Sequence, residues 1–314
     1  MNTLNNQLIV TSSPHIKDGM TTQKIMLNVI IALIPALIAA VVIFGFRALL
    51  VTAVCVVSCV FFEYLYRALM KKDNTTSDLS AIVTGMLLAF NLPVTIPIWM
   101  AVIGCFVSIV IVKQLFGGIG QNFANPAIVG RIVLFLSFSS AMTNWVEPFY
   151  YRNAEAVTTA TPLALLSDPA AAAPDNLDLF LGINGGCLGE TCALALLIGG
   201  VYLVIRRIIN PMAPVAFIGT VFVGSFLLGL DPVAQILSGG LMLGAIFMAT
   251  DYATTPVTFW GKLIFGVGCG LITLLIRNFA SYPEGVSFAI LLMNILTPYI
   301  EKVTRPRVFG GVKA

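Results

Sequence analysis

The stretch AEAVTTATPLALL, residues 154–166, carries hydroxyls at Thr158, Thr159 and Thr161 directly before Pro162. A threonine hydroxyl is a weak nucleophile unless a neighbouring base activates it. The chain has a single histidine, His15, in its polar N-terminal arm, so no Ser–His–Asp type of arrangement can be assembled around Thr161. Three uses remain: a structural turn, modification by another enzyme, or a hydrogen bond to a ligand. Taken alone, Thr-Ala-Thr-Pro is a turn pattern leading into a short helix. The other residues with chemistry to offer are charges within apolar stretches, Glu63, Arg131 and Asp251. Such charges are rare inside membranes and tend to mark function. Glu63 lies four residues before Arg67, so a helical ion pair is enough to account for it. Arg131 and Asp251 have no such neighbour, and a salt bridge between the two is one arrangement they allow. The six cysteines include no Cys-x-x-Cys pair, which argues against a zinc or four-thiolate iron–sulfur site built by this chain alone. Cys187 and Cys192 stand close enough in sequence to form a disulfide.

The elements that must position these groups are membrane helices. Hydrophobic residues make up 58% of the chain and charged residues 10%, with a mean hydropathy of +0.97. That excludes an ordinary soluble domain. A helix needs roughly 20 apolar residues to cross the hydrocarbon core. Ten candidate spans can be read at 24–44, 48–70, 79–92, 97–116, 125–141, 191–205, 213–230, 234–250, 257–277 and 284–300. With ten spans and the N-terminus inside, thirteen of the 17 Lys and Arg residues fall at the inner face. Arg47, Arg152 and Arg277 fall outside, and Arg131 lies within a span. The positive-inside rule therefore places both termini in the cytoplasm.

The expected class is an all-α polytopic membrane protein. It divides into a cytoplasmic arm (1–23), a first five-helix repeat (24–141), an extracytoplasmic loop (142–190), a second five-helix repeat (191–301) and a cytoplasmic tail (302–314). The polar start reads as an arm rather than a cleavable signal peptide. The outer loop is acidic, with Glu147, Glu155, Asp168, Asp175, Asp178 and Glu190 against Arg152. Lipid is the surrounding partner, and no nucleic-acid partner is expected.

An odd number of spans in each half implies inverted repeats. GMLLAFNLPVTIPIW (85–99) and GAIFMATDYATTPVTFW (244–260) share a glycine, an apolar run, a polar break, a threonine, a proline and a tryptophan. Spans three and eight are short and end at Asn91 and Asp251. They read either as half-crossing helices lining a cavity or as ordinary interfacial loops. A third break, GGIGQNFANPAIVGR (117–131), places Asn125 as an N-cap and Pro126 at the first helical position.

EAVTTATPL resembles the flavinylation motif of one family of membrane proteins. That family comprises the D subunit of the Rnf complex and the B subunit of the sodium-pumping quinone reductase. The resemblance extends to GGCLGETCALALLIGG (185–200), NFANPAIVGR (122–131) and FMATDYATTPV (247–257). Glu155 stands where the family usually has Asp, Cys192 where Ser is common, and Tyr252 where a proline often follows the Asp. Length, ten spans and the outer loop match the Rnf protein better than its quinone reductase counterpart.

The resemblance implies that a flavin transferase joins FMN to Thr161 through a phosphoester. Glu155 and Thr158 would form part of the recognised motif. It further implies an electron-transfer subunit, in a bacterial cytoplasmic membrane, of a ferredoxin:NAD oxidoreductase complex that moves sodium or protons. Its partners would be the A, B, C, E and G subunits, and a noncovalent riboflavin is a second expected cofactor. Asn125, Arg131, Glu190 and Asp251 are the remaining candidate cofactor residues. For Glu190 two uses stay open, contact with the flavin or complementing a helix dipole. No NAD or ferredoxin site is expected in this chain, since it has no GxGxxG after a strand. The competing expectation is an inverted-repeat solute channel of urea-transporter-like architecture. Such a channel needs the half-helices but has no use for EAVTTATP in the loop.

Overall fold

The computed structural model describes residues 20–152, 159–167, 174–280 and 285–306. All regular structure among them is helical. Thr21 caps α1 (Thr22–Phe44) by accepting from Lys24 N. α2 (Phe46–Leu69) follows after one residue, Gly45, at φ +75°. The chain can reverse so abruptly there because glycine tolerates positive φ. α3 (Ser80–Phe90) is half the length of α2 and stops at Asn91. α4 (Ile98–Phe106) continues as a π-helix over Val107–Gln114. α5 (Pro126–Ser137) starts with Asn125 accepting from Ala127 N and Pro126 at the first position, as the capping pattern predicts.

Short elements link the two halves: α6 (Ser139–Met142), α7 (Pro162–Ser167) and α8 (Asn176–Leu181). The second half comprises α9 (Ala193–Ile205), α10 (Met212–Leu227), α11 (Pro232–Leu237), α12 (Leu241–Leu243) with a π-helix over Gly244–Met248, α13 (Phe259–Phe279) and α14 (Val286–Thr304). Each of the ten apolar stretches is helical over most of its length, although 234–250 is divided among three pieces. α1, α2, α13 and α14 are long and apolar enough to cross a bilayer. The chain is a multi-pass membrane protein.

Helices pack across the two halves as well as within them. α1 lies against α9, and α5 against α14; α2 holds α3 and α4, while α10 holds α13. The α10–α13 contact depends on small residues. A Cβ at Gly266 would sit 2.6 Å from Ala213 O, and one at Gly270 would sit 2.6 Å from Thr220 Cβ. This is the glycine-every-four pattern that lets membrane helices approach backbone to backbone.

Candidate functional site

The candidate polar residues gather into two groups, toward opposite ends of the helices. The first lies at the end where α1 finishes. α3 stops at Asn91, leaving carbonyls that α-helical bonding no longer satisfies. The segment 187–190 closes this end: Leu188 N donates to Leu92 O (3.0 Å) and Gly189 N to Phe90 O (2.9 Å). Cys187 Sγ donates to Asn91 O (3.3 Å). A side chain at 189 would collide with Phe90, which explains the glycine in GGCLGETC.

Arg131, buried on α5, holds this junction together. Its guanidinium donates to Asn91 Oδ1 (2.8 Å), to Ser287 Oγ (3.0 Å) on α14 and to Cys187 Sγ (3.7 Å). It forms an ion pair with Glu190 at 2.9 Å, with side-chain exposures of 6% and 3%. The partner of Arg131 is thus Glu190 and not Asp251. Glu190 complements a buried guanidinium. No disulfide joins Cys187 to Cys192.

Thr161 is buried beside this junction. Its hydroxyl accepts from Ala164 N (3.3 Å), and its carbonyl accepts from Leu165 N (3.0 Å). Thr161 therefore forms the turn into α7 that the sequence pattern predicts. It also lines a small cleft, about 10 Å³ of free space, shared with Gly185, Gly186, Glu190, Thr191 and Gly239. Glycines keep this cleft open: at neighbouring Gly240 a Cβ would lie 2.5 Å from Glu190 Oε1 and 3.5 Å from the Arg131 guanidinium. Arg277 also reaches this turn, donating to Ser238 O (3.1 Å) and to Gln235 O (2.6 Å). Among the described residues, the buried hydroxyls of Thr191 and Ser238 have no hydrogen-bond partner. Buried polar atoms are seldom left so; Thr191 lines this cleft, and Ser238 lies between two residues that do. Glu155 and Thr158 lie outside the described residues.

The second group surrounds a cavity of about 100 Å³ at the end where α1 begins. Asn125 and Asp251, two of the sequence candidates, both line it, while the third break residue, Asn91, belongs to the first group. Asn125 Nδ2 donates to Met248 O (3.5 Å), the last residue of the π-helix. The Asn294 amide bridges Thr254 O (3.2 Å) and Asn125 N (3.1 Å). Asp251 accepts from Thr254 Oγ1 (3.1 Å) and Ala253 N (3.5 Å), an Asx-type turn that shapes the break.

Two lining residues escaped the sequence reading, Asn122 and Lys113. Asn122 Oδ1 is buried and has no partner among the described residues. Lys113 sits on the π-helical part of α4 and is 3% exposed. Its ammonium donates to Glu63 Oε2 (2.8 Å) and Ser80 Oγ (2.7 Å). The expected Glu63–Arg67 pair is therefore replaced by a Glu63–Lys113 pair. Arg67 instead donates to Gln114 Oε1 (3.1 Å) and Asp73 O (3.1 Å). The reason is steric as well as electrostatic. Glu63 is buried against α3 and α4, and Lys113 is the cation that the π turn carries into that interior. An available signal was a lysine following the apolar run VSIVIV.

Residues 9–310 match the NQR2, RnfD, RnfE family. The chain belongs to that family. It is 51% identical over 316 residues to the D subunit of the Na(+)-translocating ferredoxin:NAD(+) oxidoreductase complex of Acetobacterium woodii, covering all of this chain and 98% of that protein. It is 41% identical to the D subunit of the proton-translocating ferredoxin:NAD(+) oxidoreductase complex of Clostridium ljungdahlii, covering 97% of each. It is also 37% identical to the D subunit of the ion-translocating oxidoreductase complex of Actinobacillus succinogenes, covering 96% of this chain and 97% of that one. Family membership is consistent with the charged pairs and broken helices, which a purely structural bundle would not need.

Proposed function

We propose that this chain is the electron-transfer D subunit of an ion-translocating ferredoxin:NAD oxidoreductase complex. In this reading it works with the complex's A, B, C, E and G subunits in a bacterial cytoplasmic membrane. Its halves form two inverted five-helix repeats with ten crossings in all. Both termini are cytoplasmic, and the loop bearing Thr161 is extracytoplasmic. The protein carries FMN joined through a phosphoester to Thr161, put in place by a separate flavin transferase. A noncovalent riboflavin occupies the cavity at the other end. The complex couples electron transfer to sodium or proton movement, and the named relatives include both kinds.

The observation that carries this reading is the place of Thr161. Thr161 lines a glycine-walled cleft together with Thr191, whose hydroxyl is unsatisfied, and Glu190, the carboxylate of a buried Arg–Glu pair. A phosphoester retains an oxygen that can accept from Ala164 N. The cleft holds only about 10 Å³ of free space, roughly one water, so it is no site for a whole flavin and would border only the linked phosphoryl end. The second cavity has about 100 Å³ of free space and a mixed polar and apolar lining, which makes it the roomier of the two for a flavin ring. Its polar groups suit a flavin's alternating donors and acceptors, with Asn122 Oδ1 in need of a donor. Bound flavin would supply the redox chemistry, and the protein its position and electrostatics.

The test is in-gel flavin fluorescence of the denatured chain, wild type beside Thr161→Ala, both expressed with the flavin transferase. Fluorescence should survive denaturation in the wild type and vanish in the variant. A dark wild-type band would return Thr161 to being a turn and favour a solute channel.

A further inference from the structure

Lys113 and Glu63 form the most deeply buried ion pair next to the larger cavity, and no step described so far uses them. Lys113 lines the cavity, and Glu63 sits behind it, 1% exposed and bonded on its far oxygen by Thr75 Oγ1 (2.9 Å). Among the described residues the ammonium spends two of its three donors, on Glu63 and Ser80. Ammonium groups carry three, so one donor remains for the cavity. Breaking a buried pair is costly, and building one gains little stability over apolar residues. An ion pair at a cavity wall therefore calls for a use other than stability.

We infer that Lys113 biases this cavity toward the more negatively charged redox state of its ligand. Glu63 is the positioning residue that sets how much of that charge the ligand experiences. This rests on the flavin reading of the cavity. A flavin ring that takes up two electrons and one proton gains one negative charge, and Lys113 is the cation on the cavity wall. Asp251, on another wall, opposes it. The scale is set by a unit charge about 6 Å from an ammonium and about 9 Å from a carboxylate at an effective dielectric of about 20. Coulomb's law then gives Lys113 about a hundredfold preference for the reduced over the oxidised form. Glu63 takes back about twentyfold, leaving about fivefold.

The experiment uses the full chain carrying Thr161→Ala, so that the flavin absorbance reports only noncovalently held flavin, in a spectroelectrochemical titration. Lys113→Met should lower the reduced-to-oxidised binding ratio about a hundredfold, a potential about 59 mV more negative for a two-electron couple. Glu63→Gln should raise the ratio about twentyfold. Lys113→Arg, which keeps the charge, should hold it within a few fold. Lys113→Met leaves Glu63 buried alone and can fail to fold. The neutral pair Lys113→Met/Glu63→Gln avoids that and should lower the ratio about fivefold. Opposite signs for the two single variants are the signature that general damage would not produce. An unchanged potential in Glu63→Gln and in the neutral pair, with flavin still bound, overturns the inference but leaves the flavin reading standing. No flavin in the Thr161→Ala chain overturns both.

Discussion

Neutralising Glu190 should destabilise the protein through the partner it leaves behind. Arg131 and Glu190 meet at 2.9 Å with their side chains 6% and 3% exposed. Removing one member of such a buried pair strands the other, at a cost of about 3–5 kcal/mol. Glu190→Gln keeps the shape and leaves an amide oxygen to accept from the guanidinium. Arg131 also retains Asn91 Oδ1 and Ser287 Oγ. The lower end of the range, about 3 kcal/mol, is therefore expected. At about 2 °C per kcal/mol for a chain of this size, Tm should fall by on the order of 6 °C.

The assay is thermal unfolding of the detergent-purified chain at a fixed heating rate, since unfolding of a membrane protein is governed by rate. Arg131→Met, Glu190→Leu and the double variant Arg131→Met/Glu190→Leu form a closed cycle beside it. The double variant replaces both charges with apolar groups and should lie within about 1–2 kcal/mol of wild type. The strong non-additivity is the content of the prediction, because residues in contact couple and distant ones do not. If Glu190→Gln shifts Tm by less than about 2 °C, or if the double variant loses the sum of the singles, Arg131 does not depend on Glu190.

Gly270→Val should weaken the α10–α13 contact, since its Cβ would meet Thr220 Cβ at 2.6 Å and Phe217 O at 3.1 Å. Overpacking of this kind costs about 1–3 kcal/mol, seen as lower Tm with the flavin fluorescence of Thr161 retained. Asn122→Ala should leave folding intact, because its Oδ1 has no hydrogen-bond partner among the described residues. It should weaken retention of noncovalent flavin by about fivefold, the worth of one hydrogen bond near 1 kcal/mol. Equilibrium dialysis of the Thr161→Ala chain measures this, and unchanged retention would remove Asn122 from the site.

How much of this was legible depended on the range of the interaction concerned. Helix extents follow from runs of apolar residues, so the ten stretches appear where hydropathy puts them. The start of α5 is equally local, because Asn125 and Pro126 satisfy the cap by themselves. Charge partners are another matter. Glu63 pairs with a residue 50 positions away, and local spacing to Arg67 gave the wrong partner. Arg131 found Glu190 only because the segment 187–190 docks on the broken end of α3, which no periodicity encodes. The π-helix Val107–Gln114 also left no pattern to read, yet it is the element that carries Lys113 inside. The sequence thus marked Arg131, Glu190, Asn125 and Asp251 by type. It did not sort them into the two groups to which they belong.

That sorting bears on the proposed function. Between the cleft at Thr161 and the larger cavity stands a wall made by the ends of two broken helices. Asn91 bonds Arg131 on one side and touches Met248 Sδ (3.8 Å) on the other. Asn125, in turn, reaches Met248 O from the cavity. Leu88, Phe90, Leu92 and Met248 around them are at most 1% exposed. A hydrated ion cannot pass such a wall without parting Asn91 from Arg131 or Phe90 from Gly189. Each of those bonds is buried, and each would leave unpaired polar groups costing about 1–3 kcal/mol. Electrons need no such opening, since they cross packed protein between carriers held at fixed reach. In this conformation the described residues therefore close the direct path between the two cavities to a hydrated ion, and under the proposed function only electrons would cross it.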